Sequence, residues 1–255
     1  MLELAGIKAG FLIFVRVSSF MMLAPFFSIK GPPVIVRTGL GALLTLAILP
    51  SFEVLPTVTD DLLAYSFLVI KEVLVGLIIG YASMLVFSAV RVAGEFIDIQ
   101  MGFAMAAVFD PQYQSRITLV GQYLYILAIL LFLVMDGHHS LILAISHSYA
   151  VIPIGAAIFD KPLVVCIIQM FVDVFSLGVR IAAPFVAVLV ICDICLGLLA
   201  RTVPQLNVFI LGFPLKAGIG MVALGAALPI LIIIVSGVLQ QMQRDMLLIM
   251  EIVAR

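Results

Sequence analysis

An all-α fold, a bundle of long, hydrophobic, kinked helical hairpins with a re-entrant loop, is predicted by three features of this sequence. Apolar residues make up 65% of it and charged residues 11%, with a mean hydropathy of +1.34, a balance found in membrane proteins and not in soluble domains. The apolar residues collect in runs long enough to span about 30 Å as helices. Glycine and proline fall mostly between those runs, where turns are needed.

The first run, Leu4 to Phe27, follows Glu3 without a small-residue cleavage pattern, so it reads as a retained helix and not as a signal peptide. Gly31, Pro32 and Pro33 close it, and Pro50 and Pro56 close the second, Gly39 to Leu55. A third run covers Leu62 to Val92, and a fourth, Leu119 to Met135, stops at Asp136 and Gly137. Leu141 to Ile158, Leu163 to Leu199 and Val208 to Val235 follow, with kinks or breaks expected at Pro184, Pro214 and Pro229. These runs make about six to eight long helices. The tail from Gln240 to Arg255 mixes polar and apolar residues at helical spacing and predicts an amphipathic final helix lying on a partner or an interface. Short connections and the absence of a low-complexity linker predict one domain over residues 1–255.

A formal charge of -1 offers no basic stripe, which excludes nucleic acid as a partner. Without tryptophan, interfacial anchoring falls to tyrosines, and Lys and Arg near the run ends show no asymmetry that would orient the chain. Charges inside the runs say more: Arg16, Lys71, Glu72, Arg91, Asp173, Arg180, Asp193 and Lys216 would each be costly against lipid. They imply that much of the apolar surface faces protein, within a complex. The plainer alternative is pairing inside the chain, for example Arg91 with Glu95 one helical turn on.

Cys166, Cys192 and Cys195 are too few, and set too deep in apolar sequence, for a disulfide framework. The C-x-x-C of Cys192 and Cys195 sits on a helical run, where a packing role is simpler than a redox or metal one. Asp136, Gly137, His138 and His139 read as a turn and a helix start, because adjacent histidines on a helix point apart; Asp136 or Ser140 would cap the first amides. No metal or other cofactor is expected.

The densest concentration of unusual residues is GEFIDIQMGFAMAAVFDP, Gly94 to Pro111. Helical spacing aligns Glu95, Asp98, Gly102, Met105 and Phe109 in one stripe, so acids give way to bulky, soft side chains. Gly102 and the Asp110-Pro111 pair oppose a continuous helix and predict a loop-like segment, allowed at membrane depth where it is buried or lines a cavity. Met101, Phe103, Met105 and Phe109 suit a constriction, since thioethers deform around irregular partners and apolar rings exclude water. The competing reading is an ordinary hairpin core. Glu95 and Asp98 could serve acid-base, cation or proton-relay chemistry, but no nucleophile or ligand set converges on them, and a non-enzymatic chain is expected. A second unusual stretch, VPQLNVFILGFPLK from Val203 to Lys216, carries Pro204, Gln205, Asn207, Gly212, Phe213, Pro214 and Lys216 and predicts a bent segment whose polar groups serve packing and assembly.

AGEFIDIQMGFAMAAVFDPQ, LVMDGHHSLI and PQLNVFILGFPLK, in this order, closely resemble the FliR family of flagellar export-gate proteins, which has cousins in virulence type III secretion. DGHH and QMGF look more like the flagellar branch, and the end at Arg255 does not resemble versions fused to a further export component. The resemblance implies an all-helical subunit of a closed helical multi-subunit export gate. FliP-type and FliQ-type subunits would be its partners, with an FlhB-type subunit at the base and unfolded flagellar subunits as cargo. The place implied is the bacterial cytoplasmic membrane at the flagellar basal body. The family's inward plug loop matches about Gly102 to Gln122 here, which makes Met101, Gly102, Phe103, Met105, Phe109, Asp110 and Pro111 the candidate gate residues. Arg91, Glu95 and Asp98, with the Pro204 to Lys216 stretch, are assigned to assembly or packing on their chemistry. A small-solute transporter with broken helices at Pro184 and Pro214 and coupling acids Asp98, Asp173 and Asp193 is the rival.

Overall fold

A computed structural model describes residues 2–28, 33–52, 61–103, 118–203, 205 and 208–254. The described residues form helices and no strands: α1 (Leu2–Leu23), α2 (Val34–Ile48) with a 3-10 turn at Leu49–Ser51, α3 (Leu62–Met101), α4 (Leu119–Val134), α5 (Gly137–Val151), α6 (Lys161–Thr202) and α7 (Val208–Val253). By length and composition five segments can cross a membrane: Gly6–Leu23, Val34–Ser51, Leu62–Met101, Lys161–Thr202 and Leu211–Val253. The α4 and α5 pair supplies a sixth if counted together.

The helices run on where the sequence suggests interruption. α3 continues for 40 residues to Met101, past the end of the apolar run at Val92. Pro184 lies inside α6, and Pro214 and Pro229 lie inside α7. An interior proline removes one backbone hydrogen bond, and a helix this long re-forms its ladder on either side. The tail is the end of α7 and not a separate helix, and its Met242, Met246, Ile249, Met250 and Val253 are buried. Its apolar face is thus covered by this chain itself, where the sequence suggested a partner.

The chain divides into two compact units. The first comprises Met1–Val86, Met135–Met170 and Leu239–Arg255. Leu12, Ile13, Phe20, Ile79, Leu141, Ile145 and Ile249 fill its core, which also contains charge. The Arg16 guanidinium donates from Nε to Glu72 in an ion pair that has no solvent exposure on either side. Its Nη1 donates to the Ile152 carbonyl at 3.0 Å and to Ser148 at 3.3 Å, and it lies 4.3 Å from the Tyr149 ring centroid. Glu72 accepts from the Gly155 amide at 2.9 Å, while Lys71 Nζ donates to the Gly155 carbonyl at 3.1 Å. Three of the run-interior charges are therefore compensated within the unit, as buried charge requires.

The second unit comprises Phe87–Val134 and Phe171–Val238. Ile97, Met101, Leu124, Phe132, Leu189 and Val235 are its buried apolar centre. Burial differs sharply along the chain: 61% of the α3 span is covered, against 22% for α6 and 28% for the α7 span. α6 exposes many large apolar side chains, including Val172, Phe175, Val179 and Ile191, suited to lipid or to neighbouring subunits.

Candidate functional site

The second unit holds the described part of the predicted gate segment, at the end of α3. The helix stops there because Gly102 takes φ 87°, a left-handed conformation open to glycine, and its amide turns back to the Ile99 carbonyl at 3.1 Å. The five-residue stripe expected from helical spacing therefore ends at Gly102. Met101 is fully buried against α7, close enough to Gly220 that a Cβ there would lie 2.6 Å from the Met101 Cε. Phe103 meets Phe213 of α7 edge to face, with ring centroids 6.2 Å apart. Beside these rings opens a cavity of about 410 Å³, almost wholly apolar, lined by Phe103, Leu119, Val120, Tyr123, Met221 and Leu224. Met105, Phe109, Asp110 and Pro111 lie outside the described residues.

Asp98, one turn before the end of α3, is buried and accepts hydrogen bonds from the amides of Val120 at 3.0 Å and Gly121 at 3.1 Å. These are amides of the first turn of α4, which have no helical partner of their own and favour a negative group. The two helices approach closely one turn earlier: a Cβ on Gly94 would lie 2.2 Å from the Gly121 Cα. Glu95 is only partly buried. Arg91 is exposed and lies 4.4 Å from the Tyr125 ring centroid, so a ring from α4 takes the place the sequence suggested for Glu95.

In the Val203 to Lys216 stretch, Pro204 and Asn207 fall outside the described residues, and Gln205 is an exposed turn residue. Gly212 is buried toward Leu196, Pro214 is exposed within α7, and Lys216 Nζ pairs with Asp193 of α6 at 2.9 Å. Gln100 of α3 donates to the same Asp193 carboxylate at 2.8 Å. Asp193, Gln100, Tyr125 and the cavity residues of α4 and α7 were not singled out as gate neighbours by sequence reasoning. The usable signal was the pair of opposite charges at Asp193 and Lys216, each isolated in an apolar run.

No reactive constellation forms among the described residues. They contain no group of three or more His, Cys, Asp or Glu placed to hold a metal ion, and Cys166, Cys192 and Cys195 are free thiols. Asp136 precedes α5 in a left-handed conformation, φ 54°, without a side-chain cap; its carbonyl accepts from His139 at 3.0 Å and Ser140 at 3.2 Å. The side-chain cap expected from Asp136 is therefore not formed.

Residues 7–242 match the family described as bacterial export proteins, family 1. The chain is 35% identical over 233 residues to the flagellar biosynthetic protein FliR of Bacillus subtilis (strain 168), covering 90% of each chain. It belongs to the FliR family. The FliR protein of Escherichia coli (strain K12) is 32% identical over 220 residues, 85% of this chain and 82% of that one. That of Aquifex aeolicus (strain VF5) is 29% identical over 227 residues, 88% and 87%. The family match contains all three sequence motifs and both faces of the site, from α3 and α4 to α6 and the start of α7. The family implied by the motifs is the family found.

Proposed function

We propose that this chain is a non-enzymatic core component of the flagellar type III protein export gate, in the bacterial cytoplasmic membrane at the flagellar basal body. It forms part of the channel for unfolded flagellar subunits and contributes a plug loop, in assembly with FliP-type, FliQ-type and FlhB-type subunits. The observation that carries this reading is the similarity to proteins named as FliR over more than four fifths of both lengths. The exposed apolar lengths of α6 and α7 support an existence among lipid and other subunits.

The end of α3 supports the plug. Gly102 turns the chain out of the helix, and Phe103 just before the 104–117 connection and Leu119 at the start of α4 line an apolar cavity. Within that connection lie Met105 and Phe109, which join Met101 and Phe103 as candidate gate contacts, together with Asp110 and Pro111. Soft apolar side chains closing a pore exclude water and ions by dewetting while conforming to any peptide that passes. The transporter reading is disfavoured because its coupling acids are engaged: Asp98 binds the α4 amides, and Asp193 binds Lys216 and Gln100. Its broken helices are also missing at Pro184 and Pro214.

The test is ion conductance of the assembled gate after Met105→Ala with Phe109→Ala. Leakage is expected; unchanged conductance in a correctly assembled complex refutes the plug. Crosslinking from Phe109→Cys to neighbouring gate subunits is expected as well, and a stable lone monomer refutes the assembly.

A further inference from the structure

The carboxylate that holds the first turn of α4 comes from α3, 22 and 23 positions away from the amides it binds. A helix start is ordinarily capped by the residue just before it, which here is Thr118. Capping from a distance does a second thing that local capping does not: it ties two helices together. Gly94 and Asp98 are four residues apart and so share a face of α3. The missing side chain at Gly94 lets the backbone of Gly121 come close, and that approach brings the α4 amides within reach of Asp98. Asp98 is 3% exposed, so water competes little for these bonds. Just beyond Asp98, Met101 packs on Gly220 and Phe103 on Phe213, holding the same helix end to α7.

We infer that Asp98 is a positioning residue for the export channel: its carboxylate clasps the first turn of α4 to the last turns of α3, so that residues 104–117 leave from and return to one fixed base. The channel part of this rests on reading that connection as the plug; the clasp itself does not. Its consequence is that the two helix ends keep their spacing whatever happens between them.

The test uses the assembled gate, with the three native cysteines replaced by alanine and spin labels attached at Ile99→Cys and Gln122→Cys, two exposed positions on α3 and α4. Asp98→Ala is compared with the intact chain, with Thr118→Asp, and with both substitutions together. Thr118→Asp offers the α4 amides a local carboxylate without restoring the link to α3. A narrow distance distribution is expected with Asp98 intact and in Thr118→Asp alone. Asp98→Ala should lose it, and Thr118→Asp should not restore it. A narrow distribution in Asp98→Ala, or one restored in the double variant, overturns the clasp; restoration would make Asp98 a cap and nothing more. Conductance of the same preparations separates the two readings. Lost spacing with raised leakage supports both, whereas lost spacing with unchanged leakage keeps the clasp and overturns its role in positioning the channel; the plug itself stands or falls with Met105→Ala and Phe109→Ala. Should Asp98→Ala fail to assemble, Asp98→Asn, which keeps one acceptor oxygen, is read in the same way: partial broadening is expected, and none overturns the proposal.

Discussion

Arg16 of α1 and Glu72 of α3 form an ion pair from which solvent is wholly excluded. Around it, Ser148, Tyr149, Ile152 and Gly155 take up further bonding directions of both side chains, so one guanidinium and one carboxylate join α1, α3, α5 and the turn that follows.

Removing one partner should therefore hurt more than removing both. Arg16→Ala or Glu72→Ala leaves an uncompensated buried charge, at a cost of about 3–5 kcal/mol. Replacing both with apolar residues of similar size, Arg16→Met with Glu72→Leu, removes the charge problem and should be closer to the unsubstituted chain. Thermal unfolding in detergent measures this order; equal loss in single and double variants would contradict it.

Asp193 and Lys216 provide the contrast. Their side chains are 44% and 18% exposed, so this chain does not seal the pair as it seals Arg16 and Glu72, and where water reaches it the coupling should be about 1 kcal/mol or less. A double-mutant cycle with Asp193→Ala and Lys216→Ala gives that number directly, and added salt should reduce it. Coupling as large as that of a buried pair would mean that this end of α6 is far drier than its exposure indicates.

Two glycine substitutions should move stability in opposite directions. At Gly94 a Cβ would meet the backbone of Gly121 at 2.2 Å, and backbone does not swing aside as a side-chain end does. Gly94→Ala should cost about 1–3 kcal/mol by overpacking. Gly218, inside α7, has nothing within 4 Å of a built Cβ, so Gly218→Ala should gain up to about 1 kcal/mol through helix propensity. The melting shifts of the two variants should thus have opposite signs.

What could be read from the residues alone was whatever depends on local pattern. Apolar runs marked the helices, Asp136 with Gly137 marked a break, and Gly102 marked a weak point in a helical stripe that was expected to continue to Phe109. Partners across the fold were another matter, because periodicity reports which face a residue occupies and not what meets it. Nothing near Arg16 in sequence points to Glu72, 56 positions on, and nothing near Asp98 points to the amides of Val120 and Gly121. The one local guess, Arg91 with Glu95, gave way to the Tyr125 ring, which only the packing of α4 brings within reach. Pro184, Pro214 and Pro229, where kinks or breaks were expected, lie inside continuous helices, so no break occurs there, and the apolar face of the tail, expected to meet a partner or an interface, is covered by the same chain.

Gly102 is where local conformation and the site meet most directly. At φ 87° an alanine would sit in left-handed backbone, at about 1–2 kcal/mol, and its Cβ would press on the Phe213 ring at 3.1 Å. Gly102→Asn tolerates the left-handed region better but brings a larger side chain to the same ring, so it separates the two causes. If backbone strain dominates, Gly102→Asn should be milder than Gly102→Ala; if crowding dominates, it should be worse. Adding Phe213→Ala to Gly102→Ala should then recover stability only in the crowded case, since it opens space without altering φ. Export of flagellar subunits, followed beside stability, carries the functional half of the prediction. A Gly102→Ala chain that assembles yet exports poorly would tie the turn itself to the passage of cargo, whereas normal export at reduced stability would leave Gly102 a helix stop and no more.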